Sequence, residues 1–132
     1  MPAGPLPRPT DAELAILRVL WMRGPSTVRE VHDHMAGARD VAYTTTLKTL
    51  QVMTEKGLTQ RADLRGQHVY EPSSTEHDTL HHLVTDLLDR AFGGSTARLV
   101  VQALASKRAT PAELKEIRRL LDAAETAKRG TK

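Results

Sequence analysis

"AYTTTLKTLQVMTEKGLT", residues 42–59, sets three consecutive threonines at the head of a segment that otherwise reads as a helix. Threonine suits a helix interior poorly, because its branched β-carbon restricts χ1 and its hydroxyl competes for nearby backbone groups. At a helix start that cost falls. At about 3.6 residues per turn, Tyr43, Thr46, Leu47, Leu50, Met53 and Thr54 share one face, with Gly57 at the stop and Leu58 beyond it. That face requires a core. Thr44, Thr45, Lys48, Thr49, Gln51, Val52, Glu55 and Lys56 fill the rest, so the first turns offer hydroxyls, methyls and a lysine to something outside.

The flanking sequence supplies the context. Thr10-Asp11-Ala12-Glu13 has the spacing of a capping box, and Leu14, Leu17, Leu20 and Trp21 follow at helical intervals until "RGP" at 23–25. Thr27-Val28-Arg29-Glu30 opens a second helix, with Val28, Val31 and Met35 on one face and Gly37 closing it. After Gly57 the runs "LTQRA" and "HVYEP", joined by "DLRGQ", alternate as a β-hairpin does. Three short helices followed by a two-stranded hairpin predict a winged helix-turn-helix over residues 10–72, behind an N-terminal arm at 1–9. In that arrangement the third helix enters the major groove by its N-terminal residues, and the hairpin lies along the backbone or minor groove. Thr44 and Thr45 then face phosphates at the positive end of the helix, and their methyls can touch a thymine methyl. Lys48, one turn on, reaches a guanine edge or a phosphate. Thr49, Gln51 and Lys56 extend that surface, and Arg61 and Arg65 are the cations of the hairpin. The competing reading is that the threonines only cap a buried helix.

From Ser73 onward the pattern is helical again. Ser73-Ser74-Thr75-Glu76 reads as another capping box, and Leu80, Leu83, Val84, Leu87, Leu88, Ala91 and Phe92 form a broad apolar stripe before "GGS". A shorter segment carries Leu99, Val100, Ala103 and Leu104. Thr110-Pro111-Ala112-Glu113 then opens a helix with Leu114, Ile117, Leu121 and Ala124 on one face, and residues 128–132 are expected to be a disordered tail. Three helices over 73–127 with almost no aromatics bury too little surface to stand alone. Pairing with a second copy about a two-fold axis would cover the stripe and present two recognition helices to a pseudo-palindromic site. Leu80, Leu83, Val84, Leu87, Leu88, Phe92, Leu99, Val100, Leu104, Leu114, Ile117 and Leu121 are the candidate dimerisation residues. The alternative is that the stripe folds back on the N-terminal module. The fold class expected is thus mainly α with a small β-hairpin.

Composition narrows the function. The 132 residues carry a net charge of +3, from 19 basic and 16 acidic side chains, which permits nucleic-acid binding without demanding it. Residues 1–72 hold nine basic against eight acidic groups, so neither half is a polybasic tail. Four aromatics are too few for a single-strand stacking platform. The absence of cysteine removes disulfides, thiolate metal sites and cysteine nucleophiles. "MPAGPLPRPT" lacks the apolar run of a signal peptide and no stretch is apolar enough to span a membrane, so a cytoplasmic location without membrane insertion is expected.

"TDAELAILRVLW", "GPSTVREVHDHM", "VAYTTTLKTLQVMTEKGL" and "FGGSTARLVVQAL" together resemble the penicillinase-repressor family of transcriptional regulators over nearly the whole chain, most specifically in the third stretch. The resemblance implies a homodimeric winged-helix repressor on a double-stranded DNA operator. It also implies, in the better known members, a membrane sensor with a metalloprotease domain that triggers cleavage of the repressor in its dimerisation part. The family's cleaved bond usually joins asparagine to phenylalanine, and Gln102 and Ala103 stand at the corresponding positions here. Relatives that respond to copper carry a C-terminal cysteine pair, which this chain lacks.

Two other readings compete. "HDTLHH" places His77 and His81 one turn apart with Asp78 beside them, a weak imitation of the zinc-protease H-E-x-x-H. The aspartate is shorter than glutamate, no third ligand follows, and Val84 and Leu88 continue the same row, which points to a helix or dimer interface. No enzyme, cofactor or resident metal is therefore expected, with metal binding by His77 and His81 as a remote alternative. His32 and His34, two apart, fall on different helix faces and read as solvated. The second competing reading is a winged-helix protein-interaction module without sequence-specific DNA binding.

Overall fold

The computed structural model describes residues 8–36 and 40–130. Along the chain run α1 (Asp11–Arg23), α2 (Val28–Ala36), α3 (Tyr43–Lys56), β1 (Thr59–Leu64), β2 (Gln67–Pro72), α4 (Glu76–Ala91), α5 (Thr96–Ala105) and α6 (Pro111–Gly130). This is the mainly helical architecture with one hairpin that the spacing predicts. Gly37 and most of the N-terminal arm lie outside the described residues. At the other end α6 continues through Gly130, so Lys128, Arg129 and Gly130 are helical where a tail was expected.

Three T-x-x-E segments cap their helices in both directions. The Glu13 N–H donates to the Thr10 hydroxyl at 3.2 Å while the Thr10 N–H donates to Glu13 Oε1 at 2.9 Å. Thr27 with Glu30, and Thr110 with Glu113, repeat this geometry. The box expected at Ser73–Glu76 does not form. Instead α4 is capped two residues later, the Asp78 N–H donating to the Thr75 hydroxyl at 3.1 Å. The serines are engaged elsewhere: the Ser73 N–H donates to Leu58 O at 3.0 Å, and Ser74 O accepts from Trp21 Nε1 at 3.0 Å.

Gly57 ends α3 in the left-handed region, at φ 87° and ψ 12°. The Leu58 N–H returns to Met53 O and the Gly57 N–H to Thr54 O, the paired bonds of a Schellman motif, which glycine adopts without the Cβ clash of other residues. That turn points Leu58 back into the core and starts β1. The strands pair antiparallel with Leu64 opposite Gln67, leaving Arg65 and Gly66 as a two-residue loop. Both have positive φ, 53° and 80°, as a type I′ hairpin turn requires. The strands are longer than the alternating runs suggested because this tight loop consumes only two residues.

The core lies in the N-terminal half. Ile16, Leu17 and Leu20 of α1, Val31 and Met35 of α2, Leu50 and Met53 of α3, and Leu58 and Tyr70 form one buried cluster. Each aliphatic side chain removed from water there contributes roughly 1.5–3 kcal/mol. Ser26, between α1 and α2, exchanges two backbone hydrogen bonds with Tyr70, at 3.0 and 2.8 Å, and adds a one-residue edge to the hairpin.

The chain divides into two compact units, Met1–Thr85 and Asp86–Lys132. The division falls within α4, past the 72/73 boundary expected from spacing. The Trp21–Ser74 bond and the burial of Thr79 hold the start of α4 to the N-terminal unit. In the second unit no described residue of α5 or α6 is buried.

One buried charge ties α1 to α3. Glu13, 4% exposed, receives Lys56 Nζ at 3.0 and 2.8 Å on its two oxygens. Burial raises the Glu13 pKa, but the Lys56 hydrogen bond, the Thr10 N–H and the Lys56 charge together outweigh it, so the net shift is downward from 4.5. A carboxyl with a lowered folded pKa contributes stability that is present above its unfolded value and lost as pH falls through the folded one. Glu13→Ala should destabilise the protein by about 1–3 kcal/mol, toward the lower end because Lys56 can resolvate. In urea titrations from pH 7 to pH 3, wild type should lose stability below about pH 4.5 more steeply than Glu13→Gln; parallel profiles would contradict this role.

Candidate nucleic-acid interface

On α3 the buried side is Thr46, Leu50 and Met53. Thr44, Lys48, Gln51 and Glu55 form the opposite, exposed row, and Thr45 is exposed beside it. The threonines do not cap the helix. Ala42 occupies the N-cap without a side-chain bond, and no acidic residue lies in the first turn. The first turn thus holds no acid against the positive end of the helix dipole, and the Thr44 and Thr45 hydroxyls make no hydrogen bond to a described residue. Thr46 points inward, where its hydroxyl meets His32 Nδ1 at 3.1 Å.

The other candidate residues fall into two groups. Lys48, Arg61 and Arg65 are exposed and form no ion pair with a described residue. Arg61 lines an open groove of about 490 Å³ between α3 and the hairpin, together with Gln51, Thr54, Glu55 and Tyr70. Thr49 is half-buried and its hydroxyl donates back to Thr45 O at 2.8 Å, and Lys56 is held by Glu13. A 43-residue sequence separation hides that ion pair from any local reading.

A cluster at the α2–α3 junction was not visible in the sequence. The Arg29 guanidinium lies 4.3 Å from the centre of the Tyr43 ring, and His32 meets the same ring edge-on at 5.6 Å. His32 is thus half-buried and bonded to Thr46, a correction to its expected solvation. His34 is exposed, contacting Arg23 and Glu30 O. Tyr43 supplied the only available signal, as an aromatic at the head of an otherwise polar first turn.

Residues 9–123 match the family model described as penicillinase repressor. The chain belongs to the penicillinase-repressor family. It is 36% identical over 98 residues to the transcriptional regulator BlaI of Mycobacterium tuberculosis strain H37Rv, spanning 72% of this chain and 71% of that protein. The sequence of strain CDC 1551 / Oshkosh gives the same values. At the level of fold it resembles the solution structure of the Bacillus licheniformis BlaI monomeric form in complex with the blaP half-operator. That likeness has a TM-score of 0.51 at 24% identity, covering 56% of this chain and 90% of that one.

None of the twelve candidate dimerisation residues is buried in the single chain, and Leu80, Val84, Leu87, Leu104, Leu114 and Leu121 are exposed. Val101 and Leu120 are exposed apolar residues outside that set. Gln102 and Ala103 sit exposed inside α5. His77 and His81 are exposed with rings stacked 6.2 Å apart, and the described residues contain no group of three or more metal-ligating side chains. No helix among the described residues is long and apolar enough to cross a membrane.

The tip of the hairpin holds a non-glycine residue in the left-handed region. Arg65 has φ 53°, a conformation that costs an ordinary L-residue about 1 kcal/mol and that asparagine tolerates better. Arg65→Asn should therefore raise the unfolding midpoint while weakening DNA binding and lowering its salt slope by about 1. A variant that gains stability with unchanged binding would remove Arg65 from the interface.

Proposed function

We propose that this chain is a repressor that binds a pseudo-palindromic operator as a homodimer, with Thr44, Thr45, Lys48 and Gln51 in the major groove and Arg61 and Arg65 on the phosphate backbone. The observation that carries this is the outward row of α3: a helix start with no side-chain cap, two exposed hydroxyls and a lysine that bond to no described side chain, flanked by two hairpin arginines that pair with no described acid. The one buried acid among the described residues, Glu13, is matched to Lys56, so the donors left on this face form a surface complementary to a polyanion. Thr49 and Lys56 are secondary in this interface, because each already has a bonded partner within the chain.

The exposed leucines and valines of α4, α5 and α6 support dimerisation, since a soluble chain rarely leaves so many large apolar side chains uncovered. Derepression follows from losing the dimer. Cutting at Gln102–Ala103 would detach α6, and it requires local opening of α5, because proteases act on extended backbone. The mass of the repressor from induced cells separates the routes: a fragment ending near Gln102 supports proteolysis by a sensor system, and an intact chain excludes it.

Salt titration of duplex binding tests the DNA reading. Affinity should fall steeply as salt rises, through counterion release. Salt-insensitive or absent duplex binding would favour a protein-interaction module.

A further inference from the structure

We propose that Arg29 is a further DNA-backbone contact, held in place by Tyr43. This rests on the DNA-binding reading above and adds a residue from α2 to it. The guanidinium carbon lies over the Tyr43 ring, 4.3 Å from its centre, and Tyr43 is the first residue of α3. Stacking uses the flat face of a guanidinium and leaves its N–H donors pointing outward in the plane, so the cation is oriented without its hydrogen-bonding capacity being consumed. A phosphate group accepts two such donors side by side, one on each of two oxygens.

The surroundings fit that role. The ring also meets His32, edge-on at 5.6 Å and 78°, and His32 is itself bonded to the buried Thr46 at 3.1 Å. The acid next in sequence, Glu30, is occupied: it accepts the Thr27 N–H and pairs with Arg23 at 3.4 Å. Asp33, four residues on, forms no ion pair with Arg29. Arg23 and Lys56 are paired with carboxylates within the chain, whereas Arg29 lies over a neutral ring and forms no ion pair with a described residue. Arg29, Lys48, Arg61 and Arg65 then supply cations from α2, α3 and the hairpin.

The test measures operator and random-duplex binding by the full-length protein at several salt concentrations. Arg29→Gln should weaken both duplexes several-fold and lower the salt slope by about 1 per protomer. Arg29→Lys should keep the slope with a smaller loss. Tyr43→Phe should bind as wild type, because only the ring is needed, and Tyr43→Leu should lose affinity while keeping the slope. In the Arg29→Gln background, Tyr43→Leu should add little. An unchanged slope in Arg29→Gln, with a steep one in wild type, overturns the Arg29 contact alone. A wild-type protein without salt-sensitive duplex binding overturns the underlying DNA-binding reading as well.

Discussion

Leu87→Asp is expected to convert the repressor to monomers and to weaken operator binding by roughly 10²- to 10⁴-fold, the range over which tethering a second binding module raises avidity. Leu87 is 41% exposed in the single chain, so an aspartate there costs the protomer little. Across a two-fold axis the same change would bury two like charges in an apolar interface, which neither copy can neutralise. Sedimentation would report the loss of the dimer, and an unchanged unfolding transition of the winged helix would show that the fold survives. A Leu87→Asp protein that remains dimeric and binds operator normally would place the interface elsewhere.

Lys48→Ala is expected to lower operator affinity by about 1–3 kcal/mol per protomer, roughly five- to 150-fold, if the ammonium reaches a base edge. Lys48 stands one turn inside α3 on the exposed row, with no described acid paired to it, so its removal disturbs no packing. A base contact would also relax the preference for one operator position, whereas a phosphate contact would weaken all duplexes alike and reduce the salt slope. Equilibrium binding to a set of operator variants at two salt concentrations distinguishes these, and unchanged affinity throughout would exclude Lys48 from the interface.

Much of the fold was legible because its determinants are local. Helical spacing placed Leu50 and Met53 inward and Lys48 outward, and the T-x-x-E spacing marked three helix starts, all of which form. Ser73–Glu76 has the same spacing and fails, since partners distant in sequence, Leu58 and Trp21, hold the serine backbone. The edge formed by Ser26 has no periodicity to detect, being a single residue. The candidate site divides in the same way. Exposure of Thr44, Thr45, Lys48 and Gln51 follows from their angle on the helix, whereas the capture of Lys56 by Glu13 and the stacking of Arg29 on Tyr43 depend on how separate helices meet. The threonine run at the head of α3 does not cap the helix, and the exposed Thr44 and Thr45 hydroxyls, bonded to no described residue, are what the outward surface offers.

The most direct test is a footprint of the full-length protein on DNA selected by it from the source genome. A dimer of winged helices should protect two half-sites related by a dyad, their centres separated by about one helical turn, 10–10.5 base pairs, or a multiple of it, with protection shifted to higher protein concentration by Lys48→Ala and Leu87→Asp. Protection of a single asymmetric site, or none that random duplex fails to compete away, would contradict the account.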